Sequence, residues 1–187
     1  VSITSFTHHP FYTKFAIEIP DNWRWAESYN IPLDEFDRIF DYAVENGYTV
    51  AWGSDVSEKG FTRNGIGLLP ETKAENLNGT DQAKWVGKKK DMKYDIKGPM
   101  IEEKVTQESR QKGFDNYQTT DDHGMLIYGI AKDQNGTPYY MVKNSWGTDN
   151  KYKGIWYASK PFVMSKAINI LVHKDAVPKD IRKKLGI

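Results

Sequence analysis

The sequence contains no cysteine among its 187 residues. Disulfide bonds and metal sites built on thiolates are therefore excluded for this chain. No apolar run approaches the roughly 18 consecutive residues that a membrane-spanning helix needs. Neither sign of charge dominates, because 26 basic residues face 25 acidic ones, so the composition does not point to a strongly charged partner. The length suits one domain, and no internal repeat divides it.

Two apolar-rich runs flank a turn signal in the second half of the chain. The runs cover residues 123–130 and 139–143, and the Asn-Gly dipeptide between them, at 135–136, is the strongest short hairpin signal. We expect a β-hairpin with His123 at the outer end of the first strand and Asn144 at the outer end of the second. Antiparallel pairing brings such distant positions side by side.

The residue types at the ends of this hairpin point to proton-transfer chemistry. An imidazole beside a side-chain amide at a sheet rim is oriented as a general acid or base must be. The indole of Trp146 could fold over the pair and keep water away from it. A single histidine at a strand start is more often a surface or structural residue, so the interpretation depends on the set of His123, Asn144 and Trp146.

Elsewhere the clearest element is a helix that Pro32 opens and Gly47 ends. Its apolar residues recur at three-to-four spacing; they are Leu33, Phe36, Ile39, Phe40, Ala43 and Val44. Strands are expected at 15–19, 48–54, 154–157 and 168–172, and weaker helical character at 100–112 and after Pro178. Residues 57–99 are polar and rich in glycine and lysine, which predicts a solvated insertion.

Two basic or metal-ligating features carry no functional prediction. The Lys88-Lys89-Lys90 run lies among acidic residues and has no aromatic stacking platform, so nucleic-acid binding is not expected. His8 and His9 precede Pro10, but neighbours on an extended segment point to opposite faces, and no carboxylate cluster accompanies them. The sequence therefore predicts no metal site.

The blocks around the hairpin resemble a known family. Asp-His-Gly-Met at 122–125, Lys-Asn-Ser-Trp-Gly-Thr at 143–148 and Gly-Ile-Trp-Tyr at 154–157 are similar to the histidine and asparagine blocks of papain-like (C1) cysteine peptidases. Shorter traces resemble the bleomycin hydrolase/aminopeptidase C branch; they are His9–Tyr12, Asn30–Leu33, Gly47–Val56 and Lys174–Pro178. The traces run from about Thr7 to Lys179, and residues 57–100 match poorly. The resemblance implies an α+β, papain-like fold, of which residues 1–187 form the C-terminal, mainly antiparallel and barrel-like half with a packed helix.

The resemblance also implies roles for the hairpin residues. His123 would stabilise a thiolate and then protonate the leaving amine, Asn144 would accept the other ring N–H, and Trp146 would shield that bond. The family's nucleophilic cysteine lies upstream, in the other half of the fold, and this chain has none. Because the chain also begins at Val1, we expect it to be the C-terminal portion of a longer polypeptide. Its active site would be assembled with a Cys-bearing segment or chain of the same precursor.

The activity that the resemblance implies is that of a cysteine exopeptidase, which needs no cofactor. Asp121 and Asp122 would border the subsites nearest the scissile bond and bind a substrate's N-terminal ammonium; the alternative is that they cap a turn or face solvent. Trp52 lies on the strand that the resemblance places beside the pocket for the substrate's second side chain, with core packing as its alternative.

The sequence leaves several points open. In this branch a C-terminal tail limits cleavage to single residues, and here only nine residues follow Pro178, so release of one or of two residues is compatible with the sequence. A non-catalytic binding module and an endopeptidase are the alternative functions. The family includes ring-like homo-oligomers. The resemblance implies a cytoplasmic location, although secretion after removal of a signal peptide is also compatible with the sequence.

Overall fold

The computed structural model describes residues 1–71, 96 and 98–187. Its strands are β1 Ser2–Thr4, β2 Lys14–Ala16, β3 Glu27–Asn30, β4 Val50–Ser54, β5 Ile66–Gly67, β6 His123–Lys132, β7 Pro138–Lys143, β8 Ile155–Ser159 and β9 Ala167–Leu171. Its helices are α1 Leu33–Glu45, α2 Gln107–Asp115, α3 Lys160–Lys166 and α4 Lys179–Leu185, with a 3-10 turn at Lys174–Ala176. Within the described residues the nine strands form one sheet in the order β2-β3-β1-β9-β4-β6-β7-β8-β5.

The sheet is mixed rather than purely antiparallel. Six of its eight strand pairings are antiparallel, while β1 with β3 and β5 with β8 are parallel. The α+β class expected from the sequence is confirmed. The strand order is linear in the described residues, with β2 and β5 at its ends, so these strands do not close into the expected barrel. Both end strands are only two or three residues long, which leaves few backbone groups to pair across a closure.

The hairpin of β6 and β7 is confirmed, and a short polar turn joins the two strands. The Asp133 carboxylate accepts backbone N–H groups of Asn135 and Thr137 at 2.8 and 2.9 Å. Gly136 has a φ of 85°, a conformation that residues with a Cβ rarely adopt. The pairing of β6 with β7 shifts between Ile127 and Gly129, which marks a β-bulge. The turn and the bulge together fix which residues stand at the open end of the hairpin.

The core lies between the sheet and helix α1. The helix begins directly after Pro32, and its inward-facing residues Phe36, Ile39, Phe40 and Ala43 are completely buried. Burying an aromatic or aliphatic side chain of this size contributes roughly 1.5–3 kcal/mol, so this face anchors the helix. In the part of the chain that the structure describes, no helix is both long and apolar enough to cross a membrane.

The first part of the expected insertion belongs to the core. Phe61 and Leu68 are buried, and β5 extends the sheet by pairing with β8. The segment is mostly polar, which predicts solvation, but the apolar residues of its described first part are buried or pack against the core. Trp85 and the Lys88–Lys90 run lie outside the described residues.

Candidate active site

His123 and Asn144 meet at the open end of the hairpin. His123 is the first residue of β6, and Asn144 directly follows β7. The His123 Nε2 atom lies 2.8 Å from Asn144 Oδ1. An amide oxygen only accepts hydrogen bonds, so the imidazole donates from Nε2. A neutral ring then carries its proton on Nε2, and Nδ1 becomes the nitrogen that can exchange a proton with another group.

Asn144 is fixed from several sides. Its side chain is only 3% exposed, and Oδ1 also accepts the backbone N–H of Ser145 at 2.7 Å. Its own backbone N–H donates to Gly154 O at 3.3 Å. Gly154 has a φ of 86°, and a Cβ there would lie 2.7 Å from Gly147 O, so glycine is required at this turn. The amide Nδ2 is buried without a hydrogen-bond partner among the described residues.

Trp146 covers one side of the imidazole. The ring centroids of His123 and Trp146 are 4.8 Å apart, with an interplanar angle of 34°. Phe61 and Trp156 meet the indole edge-on, at 5.8 and 5.7 Å, and hold its plane. Trp146 is still 46% exposed. No pattern in the sequence indicates Phe61, because it lies in the stretch that is predicted to be solvated.

Asp55 connects the strand before the site to the segment that enters it. This buried carboxylate accepts from Ser57 through both its backbone N–H, at 2.8 Å, and its hydroxyl, at 2.7 Å. Its other oxygen accepts the Thr120 N–H at 3.0 Å. Asp122 adds a second connection by accepting the Val56 N–H at 2.9 Å. No sequence pattern indicates Asp55, because its role depends on two segments that are distant along the chain.

The acidic side chains before His123 are electrostatically strained. Burial raises the pKa of Asp121 to about 6, and the negative charges of Asp21, Asp122 and Asp55 add to the effect. Burial also raises the pKa of Asp122 to about 6, against the lowering effect of its bond from Val56. Asp122 is more exposed than Asp121, so solvent screens the charge of Asp122 more strongly. Such a cluster favours a bound cation.

Two paired glycines lie next to Asp121. Gly53 in β4 pairs with Gly124 on one side and with Asn169 in β9 on the other. A Cβ on Gly53 would lie 2.5 Å from Asn169 Oδ1 and 3.6 Å from Asp121 Oδ1. The two glycines therefore leave a strip of backbone without side chains, here called the groove, which is bordered by Asn169 and Asp121. Asn169 was missed from the sequence, because only the pairing of β4 with β9 places it here.

Trp52 lies in the core rather than in the groove. It is 1% exposed and meets Phe162 edge-on at a centroid distance of 6.3 Å. Trp52 therefore fits the alternative of core packing, because its indole has no exposed surface that could contact a substrate. Alternation along β4 instead turns Ala51 and Gly53 outward.

The remaining histidines differ in their surroundings. His173 stacks on Tyr48 at a centroid distance of 5.5 Å, and its Nδ1 atom lies 3.6 Å from the Asp175 carboxylate. The expectation that His8 and His9 point to opposite faces is wrong, because both rings reach Glu18. The chain turns at this point instead of continuing as an extended segment.

Comparisons with known proteins cover almost the whole chain. The sequence profile of the Peptidase C1-like family matches residues 1–186. Aminopeptidase C of Lactobacillus helveticus is 26% identical over 177 residues, which are 93% of this chain and 34% of that protein. Aminopeptidase C of Lactococcus lactis subsp. cremoris is 24% identical over 175 residues, 91% of this chain and 35% of that protein.

A solved structure shares the fold. The crystal structure of PepW from Lactobacillus rhamnosis matches with a TM-score of 0.65 and 19% identity, covering 99% of this chain and 37% of that one. A short block of 33 residues, 18% of this chain, is 52% identical to Cathepsin L1 of Drosophila melanogaster, of which it covers 9%. The chain spans about a third of the length of the aminopeptidases and of the PepW structure.

Proposed function

Because the chain belongs to the Peptidase C1-like family, we propose that it supplies the histidine and asparagine of a cysteine exopeptidase that removes one or two residues from peptide N-termini. The family resemblance read from the sequence is confirmed, and the α+β fold matches that of papain-like C1 peptidases. The observation that carries the proposal is the 2.8 Å contact between His123 Nε2 and Asn144 Oδ1. It gives the imidazole the tautomer and orientation that thiol-dependent hydrolysis needs.

In the proposed reaction a cysteine thiol from another segment gives its proton to His123 Nδ1. The thiolate sulfur then bonds to the scissile carbonyl carbon, and the imidazolium returns the proton to the leaving amine as the C–N bond breaks. Water hydrolyses the acyl-enzyme with the same imidazole accepting its proton. Asn144 keeps the ring oriented throughout, and Trp146 limits water access to the Nε2 bond.

Two observations support the requirement for a Cys-bearing segment. The chain has no cysteine of its own. Asn144 Nδ2 is buried without a partner in the described part of the chain, and an unsatisfied buried N–H costs roughly 1–3 kcal/mol. A carbonyl oxygen from the missing segment would satisfy it. We therefore expect the chain alone to be inert.

The acidic groove supports action at free amino termini. Burial raises the pKa values of Asp121 and Asp122, and the neighbouring carboxylates add to the effect. A substrate ammonium beside Asp121 would offset both causes. Binding would favour the ionised form of Asp121. The proposed assignment of Asp121 and Asp122 thus rests on charge as well as on position next to His123. Both single-residue and two-residue release fit this arrangement.

The composition of the purified protein tests the proposal first. Intact mass analysis, with and without iodoacetamide, should find a co-purifying polypeptide that carries one reactive thiol. The assembled enzyme should hydrolyse aminoacyl or dipeptidyl amides and lose activity on His123→Ala, by about 10²–10⁴-fold for loss of a general acid–base. The exposed His173 provides a control, since His173→Ala should keep full activity. Cleavage that survives His123→Ala would refute the proposal.

Substrates with free and acetylated amino termini separate exopeptidase from endopeptidase action. We expect Asp121→Asn to raise KM for the free-amine substrate more than for its acetylated counterpart. Equal effects would remove the ammonium-binding role. The alternative is a non-catalytic binding module, which the nucleophile position of the partner segment decides. Serine or glycine at the nucleophile position of the partner segment would support it.

A further inference from the structure

His8, His9 and Glu18 bring three metal-ligating side chains together outside the hairpin site. The ligand atoms of the three residues all lie within 4.8 Å of one another. His8 Nε2 is 3.4 Å from Glu18 Oε2, and His9 Nε2 is 3.1 Å from Glu18 Oε1. We propose that this His–His–Glu cluster binds a divalent transition-metal ion of the zinc class.

The separations between each imidazole and the Glu18 carboxylate suit a tetrahedral ion, and all the ligand separations lie within 4.8 Å. Zinc lies about 2.0–2.1 Å from imidazole nitrogen and about 2.0–2.2 Å from carboxylate oxygen. Two ligand atoms at such bond lengths on a tetrahedral ion are about 3.3–3.4 Å apart. The separations of 3.4 and 3.1 Å between the imidazole nitrogens and the Glu18 oxygens are close to that value. Two imidazoles and one carboxylate also form a ligand set that zinc accepts, with water in the fourth position.

Aromatic packing fixes both imidazoles before any ion binds. Phe15 stacks on His9 at a centroid distance of 4.2 Å and meets His8 edge-on at 5.2 Å. Phe114, from α2, stacks on His8 at 5.5 Å with an interplanar angle of 10°. Because the rings are already held, little side-chain freedom is lost on binding, which favours affinity.

The backbone of the cluster is also held. The buried Asn30 side chain donates to Phe6 O at 2.8 Å and to His9 O at 2.9 Å, and it accepts the Phe6 N–H at 2.9 Å. These bonds hold the turn that carries both histidines on one side. A bound ion would connect this turn to Glu18, which follows β2.

The charge state of Glu18 suits a ligand. Its slight burial raises the pKa, but hydrogen bonds from His9 and His8 and its own backbone outweigh that effect, so the pKa of the carboxyl is lowered. The carboxylate is therefore ionised at neutral pH. Each histidine contacts a different oxygen of Glu18. A bound ion would take the place of these two contacts.

Gln111 favours a tautomer of His8 that opposes metal binding. Its Oε1 accepts the Thr7 N–H at 2.5 Å, and its Nε2 donates to Asp115 at 2.7 Å and lies 3.0 Å from His8 Nδ1. The amide nitrogen therefore faces Nδ1, and His8 carries its proton on Nε2. Binding through Nε2 moves that proton to Nδ1 and removes the bond from Gln111. The contact weakens metal binding and gives the proposal a specific test.

Titration of the tag-free protein with zinc chloride, followed by calorimetry, tests the proposal. We expect one saturable equivalent, a rise in Tm with zinc, and at least tenfold weaker binding in Glu18→Gln and His9→Ala. The matched control is Glu27→Gln, an exposed glutamate in β3, which should bind zinc like the unaltered protein. Tm values without metal show whether each variant remains folded. Absence of saturable binding, or unchanged binding in Glu18→Gln, would overturn the proposal.

A double variant tests the contact between Gln111 and His8 Nδ1. Gln111→Glu with Asp115→Asn keeps a hydrogen bond between these positions but presents an acceptor to His8 Nδ1. A carboxylate behind a metal-bound histidine typically changes affinity by about 10–100-fold. We expect zinc to bind at least tenfold more tightly to the folded double variant. Equal or weaker binding would overturn the assignment of His8 Nε2 as a ligand.

Discussion

Asp121 should destabilise the fold at neutral pH, and its removal should show this. The folded-state pKa of Asp121 is raised to about 6 from an ordinary 3.8. A raised carboxyl pKa means that the folded protein binds more protons than the unfolded chain between these values. Stability is therefore lost as pH rises from about 4 to about 6. At neutral pH the ionised carboxylate lowers the free energy of unfolding.

The size of that penalty follows from the pKa difference. A difference of about 2 corresponds to roughly 3 kcal/mol at 1.36 kcal/mol per pKa unit. Asp121 is only partly buried, so solvent screening reduces the figure to on the order of 1 kcal/mol. No hydrogen bond to its carboxylate is present among the described residues, so Asp121→Asn loses no observed partner. The variant should be more stable than the unaltered protein by about 1 kcal/mol at pH 7.5 and equally stable at pH 4.

Urea unfolding followed by tryptophan fluorescence at both pH values measures this difference. Asp180 provides a control of opposite sign, because its bond from Arg38 lowers the pKa of the carboxyl. Asp180→Asn should reduce stability at pH 7.5 and lose that effect as pH falls through the lowered pKa. A gain in Asp121→Asn that is equal at both pH values, or no gain at pH 7.5, would refute the electrostatic reasoning.

Three further substitutions probe the site and its support. In the assembled enzyme, Asn144→Ala should lower kcat by about 10–100-fold with little change in KM, because it orients the imidazole rather than binding substrate; steady-state kinetics measures the split. Tyr140→Phe should cost about 1–2 kcal/mol in urea unfolding, because the buried hydroxyl donates to Asp41 at 2.8 Å; an unchanged midpoint would contradict this. Gly53→Ala should displace Asn169 and raise KM for free-amine substrates without lowering Tm; unchanged KM would show that the groove does not bind them.

Local patterns predicted the elements that depend on neighbouring residues. The α1 helix follows from its apolar spacing after Pro32, and the hairpin follows from Asn-Gly between two apolar runs. The meeting of His123 and Asn144 required no further information, because both residues stand at the ends of the same hairpin. Here short-range chemistry and the final fold agree.

Non-local pairing decided the features that were missed. Asn169 enters the groove only because β9 lies beside β4, which no spacing in the sequence indicates. The two-residue strand β5 carries no periodic signal, so the burial of Phe61 could not be expected. The turn at His8 and His9 depends on the Asn30 side chain, 21 residues from His9. Each case requires tertiary contacts that override a local pattern.

The double attachment of Asp55 limits how the proposed substrate preference can change. One carboxylate fastens both the exit of β4 and the approach to β6, so any shift of the acidic wall would carry the imidazole with it. Reshaping these loops would therefore disturb the reaction along with the recognition. Single substitutions that leave the backbone in place, above all at positions 121 and 169, are the simpler way to change the substrate preference.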